Sequence, residues 1–468
     1  MPKKNLDSAR GSKDGKCTGR LRTQPLRTFI SSLTFIALFP VSLAAQGTSA
    51  MAPATVPASV YGGGVQSPLQ FEGESLPANE VTFRMGATAL YDDNVLSTNS
   101  SRVGDEAVSL DSYLGFTKRS EHLTASFDYT PFFLLYRQFD QYDRLNHSAD
   151  LNLSDRLTSR TILGLHDTFG YQNGFYPSLN GQQILSGLAS PSALNQMVIP
   201  YTTRTLTNMA GLDLTFEKSR RTSLTLSGDY SQRKFGQQTA GQPLYNNNGV
   251  GGSLTYQYSL TEHTSFGILL VHQDTTYQGG QAFGNRLRNQ IESTLLSLGS
   301  RLSPTVSVTV FGGPQYIHTI GQVSPGAVLS GHFQVSGGGS VTKEVRKTAF
   351  DLAVQRSVSD GGGLYPSAKY TNANLGVRRR LVGRWETDVS VGAGETDASL
   401  FQSGNARTET ISGGVGVSRP LMVGSSFHIA YQTTHQVNKG VLPILANLDR
   451  DQVSIGIDYQ FKALSLGR

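Results

Sequence analysis

Two arrangements of side chains in this sequence could do chemistry. One is a compact string, Tyr91-Asp92-Asp93-Asn94, in which two carboxylates and a carboxamide stand side by side. Oxygen donors at that density can contact a cation or the hydroxyls of a sugar. The same side chains also open turns by bonding the backbone two residues on. The other arrangement is dispersed. Asp111, Asp128, Asp150, Asp213, Asp229, Asp351, Asp388 and Asp458 each stand between uncharged, mostly apolar neighbours, and Arg84, Arg378 and Arg380 share that alternating register with opposite sign. Charges placed so belong on one face of an extended segment, where they line a space rather than act on one bond.

The familiar catalytic constellations are missing. The nine histidines form no His-Glu-x-x-His pair, and Gly-x-Ser-x-Gly does not occur. Gly337-Gly338-Gly339-Ser340 and Gly413-Gly414-Val415-Gly416 lack the Lys-Ser/Thr of a phosphate loop and lie inside strand patterns, where glycine relieves crowding or permits a bend. Cys17 is the only cysteine. No catalytic residue, cofactor or metal ligand is expected, and the chain does not read as an enzyme.

Charge excludes another class. Of the 40 basic and 34 acidic residues, eight basic and two acidic ones precede Ala45, which leaves the rest with 32 of each sign. The basic excess therefore belongs to the N-terminal segment, and no nucleic-acid partner is expected. That segment has the three parts of a secretory signal: a basic stretch to Arg27, an apolar run from Phe29 to Leu43, and small residues suited to cleavage after Ala44 or Ala45. Residues 1–45 thus read as a cleaved signal peptide, and 46–79, rich in Ala, Pro, Gly and Ser, as a flexible periplasmic lead-in.

From residue 80 to 461 the texture is different and uniform. Apolar residues alternate with polar ones for nine to twelve positions, then a break follows, as in Leu123-Thr124-Ala125-Ser126-Phe127-Asp128-Tyr129 and Leu212-Asp213-Leu214-Thr215-Phe216. A period of two is the strand period. Alternation alone suits a soluble sandwich as well as a membrane barrel. The connections discriminate, because short polar breaks (Lys118–Glu121, Glu217–Thr222, Lys343–Lys347) alternate with long ones (Asp92–Glu106, Tyr171–Arg204, His435–Asp449). Short periplasmic turns against longer outer loops are the outer-membrane pattern. Aromatic residues near strand ends (Tyr91, Tyr129, Phe169, Tyr230, Tyr277, Tyr370, Tyr431, Tyr459) read as interfacial girdles. The expectation is an all-β, antiparallel up-and-down transmembrane barrel of about eighteen strands, with sixteen or twenty as alternatives, each strand spanning with roughly 9–11 residues.

The last strand ends Ser454-Ile455-Gly456-Ile457-Asp458-Tyr459-Gln460-Phe461. Ser454, Gly456, Tyr459 and Phe461 resemble the terminal signal read by the barrel assembly machinery, although a tail, 462–468, follows where that signal usually stops. Together with the Tyr91-Asp92-Asp93-Asn94 string after the first strand, this resembles the outer-membrane β-barrel porins encoded beside exopolysaccharide genes. The resemblance implies a porin-like barrel in the outer membrane of a Gram-negative bacterium, in contact with lipid and lipopolysaccharide. It brings no functional residues to carry over. Two readings follow: a passive channel for small solutes or saccharides with mild cation preference, and a closed or accessory barrel supporting exopolysaccharide export or envelope structure.

Overall fold

The structure is a computed structural model that describes residues 79–97, 99–173, 204–236, 244–278, 286–320, 331–361, 365–397, 407–439 and 447–466. The signal segment, nearly all of the lead-in and most of the Tyr171–Arg204 loop lie outside the described residues. Eighteen strands follow one another: β1 (Glu80–Asp92), β2 (Asp105–Arg119), β3 (Leu123–Tyr136), β4 (Arg144–Thr158), β5 (Thr161–Asn173), β6 (Arg204–Ser219), β7 (Thr222–Phe235), β8 (Asn246–Ser259) and β9 (Thr264–Gln278), then β10 (Arg286–Ser303), β11 (Val306–Ile320), β12 (His332–Val345), β13 (Thr348–Gly361), β14 (Tyr365–Arg380), β15 (Glu386–Asp397), β16 (Arg407–Met422), β17 (Ser425–Asn438) and β18 (Leu448–Gln460). A two-residue strand, β19 (Leu464–Ser465), ends the series.

Each strand pairs antiparallel with the next, and β1 closes the sheet on β18 from Arg84↔Gln460 to Asp92↔Gln452. The result is a closed up-and-down barrel, which leaves no free edge along the seam. The short turns lie at the end where β1 begins and β18 finishes. At the β16–β17 turn Gly424 has φ +78°, and a Cβ there would stand 2.4 Å from the Gln460 carbonyl oxygen, so glycine is required twice over.

Alternation sorts the side chains. Leu110, Leu165, Leu226, Val310, Leu352 and Ile411 are exposed on the outer face, and so are their counterparts on the other strands. Such a continuous apolar band is a poor surface in water and a good one in hydrocarbon. The strands run 12 to 18 residues, longer than the sequence implied. The excess extends past the band toward the long-loop end, where outward charges pair with each other: Arg407 with Glu395 (3.0 Å) and Glu409 (2.8 Å).

Two expectations need correction. Tyr277 is not a girdle residue: it is buried on the inner face with Tyr245 and Leu287. Tyr370 shares the parity of inward, buried Asn372 and Asn374, opposite to outward Leu375, so it too points inside. Nearness to a strand end does not fix the face; the count along the pleat does. The tail after Phe461 joins the sheet. The Phe461 amide donates to Phe83 O (2.9 Å), the Leu466 amide donates to Asn79 O (2.8 Å), and β19 pairs with Glu80–Val81, so the tail prolongs the seam.

One part of the wall departs from the cylinder. The β12–β13 ladder runs from Val345↔Thr348 to Gly337↔Arg356 and stops, while β12 continues to His332 beside β11 and β13 continues to Gly361 beside β14. Beyond the split, Val358 is fully buried with Ile291 of β10 and Ile317 of β11, and its amide donates to Gln315 Oε1 (3.3 Å). In an unbroken wall β13 and β10 are three strand spacings apart, about 14 Å. Outward Leu296, Val310 and Tyr316 alternate with Ile291, Gln315 and Ile317, which places the latter inside. β13 beyond Arg356, with the β14 residues paired to it, is thus folded against the inner wall.

Candidate functional site

The inner face is where the sequence placed its charges, and the densest set lies along the seam formed by β17, β18, β1, β2 and β3. It stacks in tiers. Nearest the short-turn end, the Arg84 guanidinium sits 4.4 Å above the Tyr113 ring, and the Tyr113 hydroxyl donates to Asp128. Asp150 is opposite Asp128 in register.

The next tier is built around two glycines. Asp111 and Asp458 lean over Gly86 from either side, and both would stand within 2.8 Å of a Cβ added there. His428 Nδ1 is 2.9 Å from Asp458 Oδ2, and its Nε2 is 3.3 Å from Thr88 Oγ1. The imidazole occupies the gap left by Gly456, where an added Cβ would be 2.5 Å from Nε2. Gly456, read from sequence as part of an assembly signal, therefore also has a local packing reason to lack a side chain. Gly86→Val or Gly456→Val is expected to destabilise the barrel by about 1–3 kcal/mol through overpacking, measured as the shift in urea midpoint in micelles.

The upper tier contains the string. Asp92 is buried on the inner face and is held by Arg450 through Nε (2.9 Å) and Nη2. Gln452 (3.3 Å) and the Tyr136 hydroxyl (3.4 Å) also donate to it. Asp93 pairs with Arg102 and accepts the Asp451 amide (2.8 Å), while Asn94 Nδ2 donates to Asp449 O (2.8 Å). Asn99 exchanges two further bonds with Asp449. Burial opposes the charge on Arg102, but the bonds to Asp93 and the charge of Asp451 outweigh it and hold its pKa above the usual value. Tyr91 points outward. The string also opens its turn, the Asn94 amide donating to Asp92 Oδ1 (3.1 Å). Both carboxylates are thus engaged by the chain's own cations and amides, and they fasten the first strand to the last. This differs from a cation or sugar contact at an open loop.

The remaining charges fall into smaller groups. Asp213 is 3.3 Å from His166, and Asp229 leans over Gly251 on the neighbouring wall. Arg378 holds Asp388 (2.8 Å) and Glu386 (3.2 Å), with Asp351 in electrostatic reach on β13 and Arg380 opposite Glu386 in register. Among the described residues no three of His, Cys, Asp and Glu converge on a point that could hold a metal. Ser454 shares the inward parity of Gly456, and Tyr459 and Phe461 point outward and meet edge to face at 4.7 Å, with Phe83 5.1 Å from Phe461.

His428, Arg450 and Tyr136 had no signal of their own in the sequence. Their partners are distant along the chain, Arg450 lying 358 residues from Asp92. Parity marks them as inward, but only closure of the barrel identifies what they meet.

No protein-family model and no curated protein matches the chain. Among solved structures the chain is similar to the ferric citrate transporter FecA in its unliganded form, at 11% identity and TM-score 0.45, over 82% of this chain and 64% of that one. It is also similar to Acinetobacter baumannii OccAB4 (10% identity, TM-score 0.42, 83% and 99% covered) and to Pseudomonas aeruginosa OpdL (13%, 0.39, 82% and 99%). The chain spans less than two thirds of the length of FecA.

Proposed function

We propose that this chain is an outer-membrane barrel that spans the membrane with its eighteen strands and serves as a porin-like channel for small polar solutes, saccharides among them. One observation carries the reading: a closed ladder whose outer face is an apolar band and whose inner face is polar and charged. In hydrocarbon every backbone group must be paired, which a closed barrel achieves and an open sheet does not. The short turns then face the periplasm, with both ends of the barrel segment on that side.

The inner charges set the expected selectivity. Asp111, Asp128, Asp150, Asp213, Asp229, Asp351, Asp388 and Asp458 outnumber Arg84, Arg378 and Arg380, so the pore should favour cations mildly. Reversal potentials in planar bilayers under a KCl gradient test this, and Asp213→Asn with Asp229→Asn should move the potential toward zero. Anion preference in the parent channel overturns it.

A second reading, a closed or accessory barrel supporting export of an exopolysaccharide, draws on the inward-folded β13–β14 hairpin, which narrows the lumen. Single-channel recording separates the two, because a barrel of this size without measurable current is shut.

A further inference from the structure

We propose that the split between β12 and β13 is a lateral portal for an amphiphile, a molecule with an apolar tail and a polar head, and that the inward-folded part of β13 beyond Arg356, with the β14 residues paired to it, is its gate. The proposal rests on the reading of the barrel as membrane-spanning.

The split carries the marks of a second seat for the hairpin. Continuing the ladder one step past Gly337↔Arg356 would set Ser336 opposite Ser357. Both hydroxyls are buried and without a hydrogen-bond partner in the folded-in arrangement. A further step would set Val335 opposite Val358. Val358 has the parity of outward Leu352 and Val354, so in the wall it would join the apolar band, yet here it is tucked against Ile291 and Ile317. Gln315 supplies the Val358 amide with the acceptor that the ladder no longer offers.

The wall beside the split is built to bend. Gly312 and Gly313 of β11 lie against Gly337 and Ser336 of β12. A Cβ on Gly313 would meet the Thr294 carbonyl at 1.9 Å, and one on Gly338 would meet the Val354 carbonyl at 2.5 Å. Pro314, which has no N–H, sits where the β10–β11 ladder skips between Ser293↔Gln315 and Leu296↔Gly312.

Both sides of the split suit an apolar tail. Inside, Leu269, Val271, Leu295 and Phe311 form an apolar strip. Outside, Phe333 and Val335 are 70% and 65% exposed. Next to them a groove of about 600 Å³ runs over Leu226, Leu254, Leu270, Tyr316 and Phe333. His272 and Glu292, 3.6 Å apart, stand in the same groove and offer a polar head an imidazole and a carboxylate.

The test uses the full chain in liposomes made with phospholipid brominated in the acyl chain, which quenches tryptophan only on contact. Trp385 is the sole tryptophan and Cys17 the sole cysteine, so Trp385→Phe with Cys17→Ser gives a silent background. Phe311→Trp reports from the inner strip, Leu298→Trp from the outer band, and Thr168→Trp from the exposed inner face of β5. The expected result is quenching at the Leu298→Trp and Phe311→Trp reporters and none at Thr168→Trp. A disulfide between Ser336→Cys and Ser357→Cys should close the wall, abolishing quenching at the Phe311→Trp reporter alone. Quenching at Leu298→Trp without quenching at Phe311→Trp overturns the portal and leaves the membrane reading standing. No quenching at Leu298→Trp removes the membrane reading itself. Quenching at Phe311→Trp that persists after the disulfide forms, or a pair that never oxidises, overturns the gate.

Discussion

Arg450→Ala is expected to destabilise the folded barrel by about 3–5 kcal/mol, the usual cost of leaving a buried charge without its partner. Asp92 and Arg450 are 0% and 2% exposed at the side chain and lie on the two strands that close the cylinder. Removing the guanidinium leaves Asp92 with Gln452, Tyr136 and the Asn94 amide, three neutral donors in place of a bidentate cation. The loss should appear in equilibrium unfolding by urea in micelles, and as earlier loss of the fast-migrating folded form on heating in detergent gels. Asp92→Leu together with Arg450→Met should recover most of it, because an apolar pair of similar volume carries no desolvation penalty. A single variant within about 1 kcal/mol of the parent would show that the seam does not depend on this pair.

A several-fold rise in single-channel conductance is expected when Val358–Lys369 is replaced by an Asn-Gly turn. The flanking residues Ser357 and Tyr370 are already opposite one another in register, so a two-residue turn can close the shortened hairpin there. The deletion removes the segment that Val358 anchors to Ile291 and Ile317 across the inner wall, and with it the narrowing of the lumen. Gln315→Ala is the milder form, since it deletes the acceptor of the Val358 amide without removing any chain. It should leave the mean current closer to the parent's and add flicker, as the hairpin exchanges between seats. Conductance unchanged by the deletion would mean that the folded-in hairpin does not narrow the pore.

Much of this architecture is legible in the spacing of residue types alone. A period of two over residues 80–461, broken by turns that alternate short and long, is enough to count about eighteen strands and to put both ends on one side. Parity then assigns faces: Asp111, Asp128, Asp213, Asp388 and Asp458 fall inside because their neighbours must fall outside. These are local properties, and local spacing records them. Nearness to a strand end is a weaker proxy, and at Tyr277 and Tyr370 it points to the wrong face.

What the chain meets across space is not legible in this way. Asp92 and Arg450 are a pair only because the first strand closes on the last, and the sequence near Tyr91-Asp92-Asp93-Asn94 looks the same whether its carboxylates face a sugar or a guanidinium. Gly86 and Gly456 read as ordinary strand glycines until Asp111, Asp458 and His428 are seen to occupy the room they leave. The inward β13–β14 hairpin is the strongest case. Val358 alternates as an outward residue, and the sequence holds it there. Only the tertiary structure moves it inside, because burial against Ile291 and Ile317 competes with a place in the ladder, and a period of two says nothing about that competition.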